Sequence, residues 1–241
     1  MHRFFIPSED FHTVQVHIKG KTARQISRVL RLKAGAQCVL LDNLGGEYLV
    51  RLETVDSDMC GAAIMERRKA EEPGARLLMM LCLAQREKFE GMLQKCTEVG
   101  AAEFLPVISQ RSLVQDEADA RNKYERWNDI LREAAEQSGR GRIPVLHPAV
   151  RLKTAVEDFG QEYPLQLIPW EGEKQAGLKS VLKDSLQKKV AVLIGPEGGF
   201  AENEVQQAMR SGFQPVTLGR RILRMETAAV VSAALILHEL E

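Results

Sequence analysis

The sequence predicts an α/β protein in which a small, mostly β domain precedes a larger one built on a parallel sheet. Three observations carry this. Residues 1–70 hold short β-type runs, "TVQVHI", "AQCVLLD" and "EYLVRLETV", separated by Gly20, Gly35 and the Gly45-Gly46 turn. Beyond "AEEPGAR" at 70–76 the units lengthen, and strand-like runs alternate with helical patterns, which is how a parallel sheet is written in sequence. The last helical stretch, 227–240, contains "AAVVSAALIL" and is apolar nearly all round, so it must be buried against the sheet, a partner chain, or both.

Taken in order, the first domain spans 1–70 and reads as a small β-barrel. The second spans 75–241 and opens with the strand "LLMMLCLA". A helix follows with Phe89, Met92, Cys96 and Val99 on one face, closed by Gly100, and then the strand "EFLPVIS". That is a β-α-β unit. A long amphipathic helix is expected over 118–138, with Tyr124, Trp127, Leu131 and Ala134 at helical spacing as a core-facing stripe. Three further strands, "LQLIPW" at 165–170, "KVAVLIG" at 189–195 and "PVTLG" at 215–219, are separated by helices near 177–186 and 202–211.

Composition narrows the function classes. A hydrophobic content of 44% in 241 residues is enough for a core, and 33 basic residues balance 33 acidic ones. Any polyanion must therefore be gripped by a local patch and not by a global field. Cys38, Cys60, Cys82 and Cys96 are widely spaced without a C-x-x-C, so reduced thiols are expected, with neither a disulfide framework nor a metal site. No run approaches the ~18 apolar residues of a membrane helix and no signal peptide is recognisable, which places the chain in the cytoplasm as an expectation.

The chemistry concentrates near the C-terminus. In "LIGPEGGFAENEV", 193–205, a buried strand breaks into a glycine-rich turn and restarts as a helix, so something must approach the backbone closely. The dinucleotide fingerprint G-x-G-x-x-G is absent, and Pro196 removes an N–H that such a cradle would need. No G-x-S-x-G elbow or H-E-x-x-H helix occurs either. Three strand ends remain, at 167–171, 194–199 and 218–227. Ligands of parallel sheets sit at the carboxyl ends of strands, so these loops should converge on one pocket for a flat, mostly uncharged heteroaromatic group.

At this point the residues resemble a known family. "LIGPEGGF" followed by "LGRRILRMETAA" is similar to the RsmE family, the 16S ribosomal RNA uracil-N3 methyltransferases of the SPOUT superfamily. "RVLRLKAG", "EKFEGMLQKCTEVGA" and "EAAEQSGRGRIP" extend the resemblance along the whole chain, in order. It implies a PUA-like barrel joined to a SPOUT domain whose C-terminal segment forms a trefoil knot, S-adenosyl-L-methionine as cofactor, 16S ribosomal RNA in the small subunit as substrate, and a homodimer without a metal. Arg220, Met225 and Gln25 depart from the residues common in the resembling motifs. A non-catalytic RNA-binding module and a SPOUT enzyme with another target remain alternatives, because fold alone does not set the target.

The resemblance and the turn positions together give the candidate site. Cofactor contacts are expected from Leu167, Pro169, Ile194, Gly195, Pro196, Gly199, Leu218, Gly219, Ile222, Leu223, Met225, Thr227 and Ala228. Uracil N3 is a protonated imide and a poor nucleophile. Arg224 is expected to stabilise charge on the uracil carbonyls, with Glu226 or Glu197 accepting or relaying the proton. RNA contacts are expected from the basic run between Lys19 and Lys33, which has six cations and no acid and includes Arg24, Arg28 and Arg31. Arg140 and Arg142 in "SGRGRIP", and Arg3 beside two phenylalanines, are further candidates.

Overall fold

A computed structural model describes residues 1–183 and 185–240. The chain divides into two compact units. The first comprises residues 1–72 together with 135–143, and the second comprises 73–134 and the chain from Pro144 onward.

The first unit is a five-stranded sheet of order β1-β3-β4-β5-β2, made from β1 (Arg3–Phe5), β2 (Gln15–Lys19), β3 (Gln37–Leu41), β4 (Gly46–Val55) and β5 (Met59–Lys69). β1 lies parallel to β3 and the other pairs are antiparallel. Successive side chains of a strand point to opposite faces, and here both faces of β1 and β3 are apolar. Phe4, Ile6 and Leu40 join Val16, Ile18, Ile26, Val50 and Leu52 in the main core of the unit. Phe5, Val39 and Leu41 face the other way and are covered by Ala135 with Ile143 packed alongside. That second apolar face explains why residues 135–143 belong with this unit.

Polar bonds fix the same segment. One Glu72 oxygen accepts from the N–H groups of Gly141 and Arg142 at 2.9 and 3.1 Å, and the other from the Arg140 guanidinium at 2.8 Å. Asn43 accepts from the Ile143 N–H at 2.7 Å. β1 and β5 are the strands of this unit that the sequence pattern fails to announce. After β2 the chain forms α1 (Gly20–Arg24) and runs on as a wider π turn over Gln25–Val29, which buries Ala23 and Ile26 and leaves Arg24 and Arg28 outside.

The second unit contains a seven-stranded sheet: β6 (Arg76–Cys82), β7 (Glu103–Ile108), β8 (Val145–Leu146), β9 (Val150–Arg151), β10 (Leu165–Pro169), β11 (Lys189–Ile194) and β12 (Gln214–Val216). Its order is β12-β10-β11-β6-β7-β8, with β9 also on β7, and every pair is parallel. The central strands β6, β7 and β11 are continuous buried apolar runs, as a sheet covered on both faces requires.

The helices are α2 (Arg86–Val99), α3 (Glu117–Arg121), α4 (Tyr124–Ser138), α5 (Leu152–Thr154), α6 (Leu178–Lys183), α7 (Glu202–Arg210) and α8 (Met225–Leu240). The single helix expected over 118–138 is broken at Asn122, where the Asp116 side chain has already capped α3 and Trp127 restarts the buried stripe by packing on Phe89. Handedness distributes the helices. The crossovers β6-α2-β7 and β10-α6-β11 run one way along the sheet and β11-α7-β12 runs the other, so right-handed connections place α2 and α6 on one face and α7 on the opposite one. Packing agrees: α8 lies against α2, α6, β6 and β11, while α7 packs on α5.

All four cysteines are buried and unpaired. Among the described residues no helix is long and apolar enough to cross a membrane, and no cluster of His, Cys, Asp and Glu could hold a metal ion.

A buried charge sits at the amino ends of β6 and β7. Glu103 accepts from His147 Nε2 at 2.8 Å, from the Tyr163 hydroxyl at 2.5 Å, and from Arg76. Burial alone would raise its pKa, but these three donors outweigh it and hold the carboxyl at about 2. Its contribution to stability is therefore complete above the ordinary value of 4.5 and is lost as pH falls from there toward about 2. Glu103→Gln, which weakens the bonds from His147, Tyr163 and the solvated Arg76, is expected to cost about 1.5 kcal/mol at neutral pH. Urea unfolding as a function of pH should also show a shallower acid limb in the variant.

Candidate active site

Three loops leave the carboxyl ends of β10, β11 and β12 and border one cleft of about 200 Å³. Main-chain bonds stitch the first to the third. Trp170 N–H donates to the Val216 carbonyl at 3.1 Å, Thr217 N–H to Ala176 at 2.8 Å, and Leu178 N–H to Thr217 at 3.1 Å. The Thr217 hydroxyl also binds within its own turn, donating to the Gly219 carbonyl at 3.1 Å. Gly219 there has φ of 121°, outside what side chains tolerate.

The middle loop, 195–200, turns on a Gly199 N–H to Pro196 carbonyl bond of 2.9 Å, with Gly199 at φ 69°. It is held from outside the cleft by three side chains. Arg111 Nη1 donates to the Gly198 carbonyl at 2.7 Å. Glu197 accepts from the Gln85 N–H at 3.2 Å and from Lys88 Nζ at 3.3 Å. Buried Glu204 accepts from the Gln110 N–H at 2.8 Å and from the Ala201 N–H at 2.9 Å, the half of a capping box that does not need a side-chain oxygen on Ala201. For Glu197, burial raises the pKa, but the backbone N–H groups and Lys88 outweigh it and the net shift is downward. It is a carboxylate engaged in holding the loop.

Of the residues expected at the cofactor, the cleft brings together Pro169, Ile194, Gly195, Pro196, Gly199, Leu218, Gly219, Ile222, Leu223, Met225 and Ala228. Leu167 lies inside β10, fully buried beneath the cleft, and Thr227 faces solvent on the first turn of α8. Arg224 and Glu197 line the cleft, but Glu226 lines a neighbouring cavity between α2 and α8, with Lys88, Lys95 and Met92. Trp170, Glu171, Arg220 and Arg221, which belong to the strand-end loops without being among the expected contacts, also line the cleft, as do Lys174, Phe200 and Thr217. Trp170 and Thr217 fall within the strands expected at 165–170 and 215–219, whereas β10 and β12 stop just before them. Phe200 had no strand-end signal: its ring packs on Gly195, where a Cβ would come within 2.9 Å of it.

The basic candidates divide by burial. Arg24, Arg28 and Arg31 are exposed on the turn after β2, and Arg31 holds φ at 51°, a left-handed backbone uncommon for a long side chain. Arg142 is exposed, with Nη2 donating to the Leu44 carbonyl at 2.9 Å. Arg140 is buried, with its guanidinium on Glu72, and Arg3 is half-buried against Gly139.

The chain, with a small β unit first in sequence and then a parallel sheet with a glycine-turned cleft at its carboxyl edge, matches two families. An RNA methyltransferase domain family matches residues 70–237, and an RNA methyltransferase PUA domain family matches residues 18–58. The class is that of RNA methyltransferases. The chain is 33% identical to the ribosomal RNA small subunit methyltransferase E of Synechocystis sp., over 97% of this chain and 76% of the relative. It is 32% identical to the one of Bacillus subtilis, over 93% and 90%. A crystal structure of a ribosomal RNA small subunit methyltransferase E from Neisseria gonorrhoeae, bound to S-adenosyl methionine, superposes with a TM-score of 0.87 at 30% identity, covering 97% of this chain and 95% of that one. The protein belongs to the ribosomal RNA small subunit methyltransferase E family.

The loop ties have a measurable consequence. Arg111→Ala removes one charged donor from the Gly198 carbonyl and is expected to ease local opening of the loop by about 1 kcal/mol, roughly fivefold. Hydrogen exchange should then accelerate over 198–200 while the global melting temperature is unmoved.

Proposed function

We propose that the protein transfers a methyl group from S-adenosyl-L-methionine to N3 of a uridine in 16S ribosomal RNA, acting on the small ribosomal subunit in the cytoplasm. The observation that carries the reading is the convergence of the three carboxyl-end loops on one cleft, in a chain of this family. The residues fit the cofactor. Leu218, Leu223, Met225 and Ala228 offer apolar walls, and Ile222 is 78% exposed although it lines the cleft, an apolar surface that a bound adenosyl group would cover. Gly195, Gly199 and Gly219 let main-chain groups approach it without side-chain obstruction. The cofactor supplies an electrophilic methyl on a sulfonium.

The chain's own residues do the rest by positioning and charge. Arg224 stands in the cleft wall at the start of α8, where it would stabilise negative charge on the uracil carbonyls as N3 gives up its proton. Glu197 spends its carboxylate on Gln85 and Lys88, and its lowered pKa makes it a weak base. Glu226, in the adjoining cavity beside Lys88, is then the carboxylate left to accept or relay the proton. RNA is gripped by Arg24, Arg28 and Arg31, with Arg142 and Arg3 as further contacts. Arg140 is assigned to shaping its own loop through Glu72.

We also propose that the C-terminal segment is knotted and that the chain works as a homodimer. β12 lies outside β10 at the sheet edge whereas α8 packs on β6 and β11, so residues 217–224 must cross the carboxyl ends of β10 and β11 between their loops. That crossing supports a trefoil knot. α8 remains apolar on its outer side, with Leu235 still 37% exposed, which supports burial against a second copy.

Incubating the protein with labelled cofactor and unmethylated small subunits, then mapping the modified nucleotide, tests the reading. Label at a uridine N3 is expected, and label elsewhere or none would refute it. Arg224→Ala should lower the turnover number at least ~100-fold with cofactor affinity within about twofold. A near wild-type rate would remove Arg224 from the mechanism. Arg28→Ala combined with Arg31→Ala should weaken RNA binding and reduce its salt slope by roughly 1.5, with cofactor affinity unchanged in a calorimeter.

A further inference from the structure

The cleft lining carries more positive charge than the methyl donor can balance. Its lining carries four cations, Lys174, Arg220, Arg221 and Arg224, and two carboxylates, Glu171 and Glu197. Glu197 is already paired with Lys88 from outside the lining. The wall thus holds three positive charges in excess, in a protein of zero formal net charge. Arg220, Arg221, Arg224 and Lys174 are all exposed, and among the described residues none of the three arginines is paired with a carboxylate. Lys174 Nζ bonds only to the Glu171 carbonyl, which leaves its charge uncompensated.

S-adenosyl-L-methionine carries a sulfonium, an ammonium and a carboxylate, hence one net positive charge. A wall of unpaired cations repels it. The arginines therefore answer to a different, anionic ligand that must come to the same cleft, and the phosphates of the RNA strand are that ligand. We infer that Arg220, Arg221 and Lys174 form a phosphate-binding subsite for the strand flanking the target nucleotide, and that RNA seated there raises the affinity of the cleft for the methyl donor. The inference rests on the proposed cofactor and substrate.

The coupling follows from charge alone. Phosphates on the rim cancel the excess cations, so the donor enters a neutralised cleft, and linkage requires that the donor strengthen RNA binding by the same factor. Methyl transfer then turns the sulfonium into a neutral thioether and removes the ligand's net charge. S-adenosylhomocysteine is consequently insensitive to the rim. Free protein favours product over donor, and RNA-bound protein narrows that preference.

The test is Arg220→Gln combined with Arg221→Gln, with Lys174→Gln as an independent variant. Calorimetry should show donor affinity rising about threefold in the double variant while S-adenosylhomocysteine affinity stays constant. Affinity for 16S ribosomal RNA should fall, with its salt slope reduced by roughly 1.5. In the unmodified protein at low salt, saturating RNA should tighten donor binding about threefold, and this coupling should shrink in both variants. A merely structural role for the arginines would weaken donor and product together. That result, or unchanged RNA affinity and salt slope, overturns the inference. If the unmodified protein binds neither donor nor product, the reading of the cleft fails and takes this inference with it.

Discussion

The site depends on a pair of main-chain bonds on either side of Thr217: its N–H to the Ala176 carbonyl and its carbonyl to the Leu178 N–H. They make the loop after β10 and the chain leaving β12 a short parallel ladder beyond the sheet. Residues 218–224 then have only one way to reach α8, across the strand ends and past the glycine turn of β11. The apolar wall from Leu218 to Met225 is delivered by that path. Backbone bonds suit the task because they are indifferent to side chain. The loop can carry arginines outward and leucines inward without either being needed to hold its course.

Side chains tie the middle loop from outside. Arg111 and the Gln110 N–H that Glu204 accepts from lie in the loop after β7, and Lys88 lies on α2, which follows β6, the neighbour of β11. The carboxyl edge of the sheet is therefore one polar network, cleft on one side and ties on the other. The opposite edge has its own network around Glu103, where no cleft competes for the charges and three donors converge on one carboxylate. The same sheet stores a saturated ion cluster at one end and unsaturated cations at the other. Saturation stabilises, and the unsaturated end is available to ligands.

The parts of this arrangement legible in sequence were those governed by local rules. The alternation of strand and helix gave the parallel sheet, and Gly199 and Gly219 marked positive backbone angles at strand ends. The all-round apolar character of 227–240 located α8. What stayed hidden depends on distant partners. β5 contains "GAA" and then "ERRK", weak strand formers that become a strand because β4 and β2 pair with them on both sides. The placement of 135–143 with the first unit follows from the second apolar face of β1 and β3, and no pattern within the segment announces it. Leu167 and Thr227 were expected in the cleft because neighbours in sequence are there, but a strand alternates its faces and a helix turns, which carries one below the cleft and the other into solvent. Glu226 is displaced for the same reason, one step round α8 from Met225.

The balance of charge is the feature that composition concealed most completely. Equal numbers of acids and bases say nothing of where the charges lie, and several of the acids are taken up by bonds within the fold. Glu72 is taken by Arg140 and the backbone of its own unit, Glu103 by three donors, Glu197 by Lys88, and Glu204 by two N–H groups. Cations spent on those acids are few beside the arginines left exposed at the turn after β2 and at the cleft. A neutral chain can thus present two basic surfaces, because neutrality constrains the sum and leaves the distribution to folding. Carboxylates accept several bonds at once and are used up as connectors. Arginines that no connector claims remain available to a polyanion.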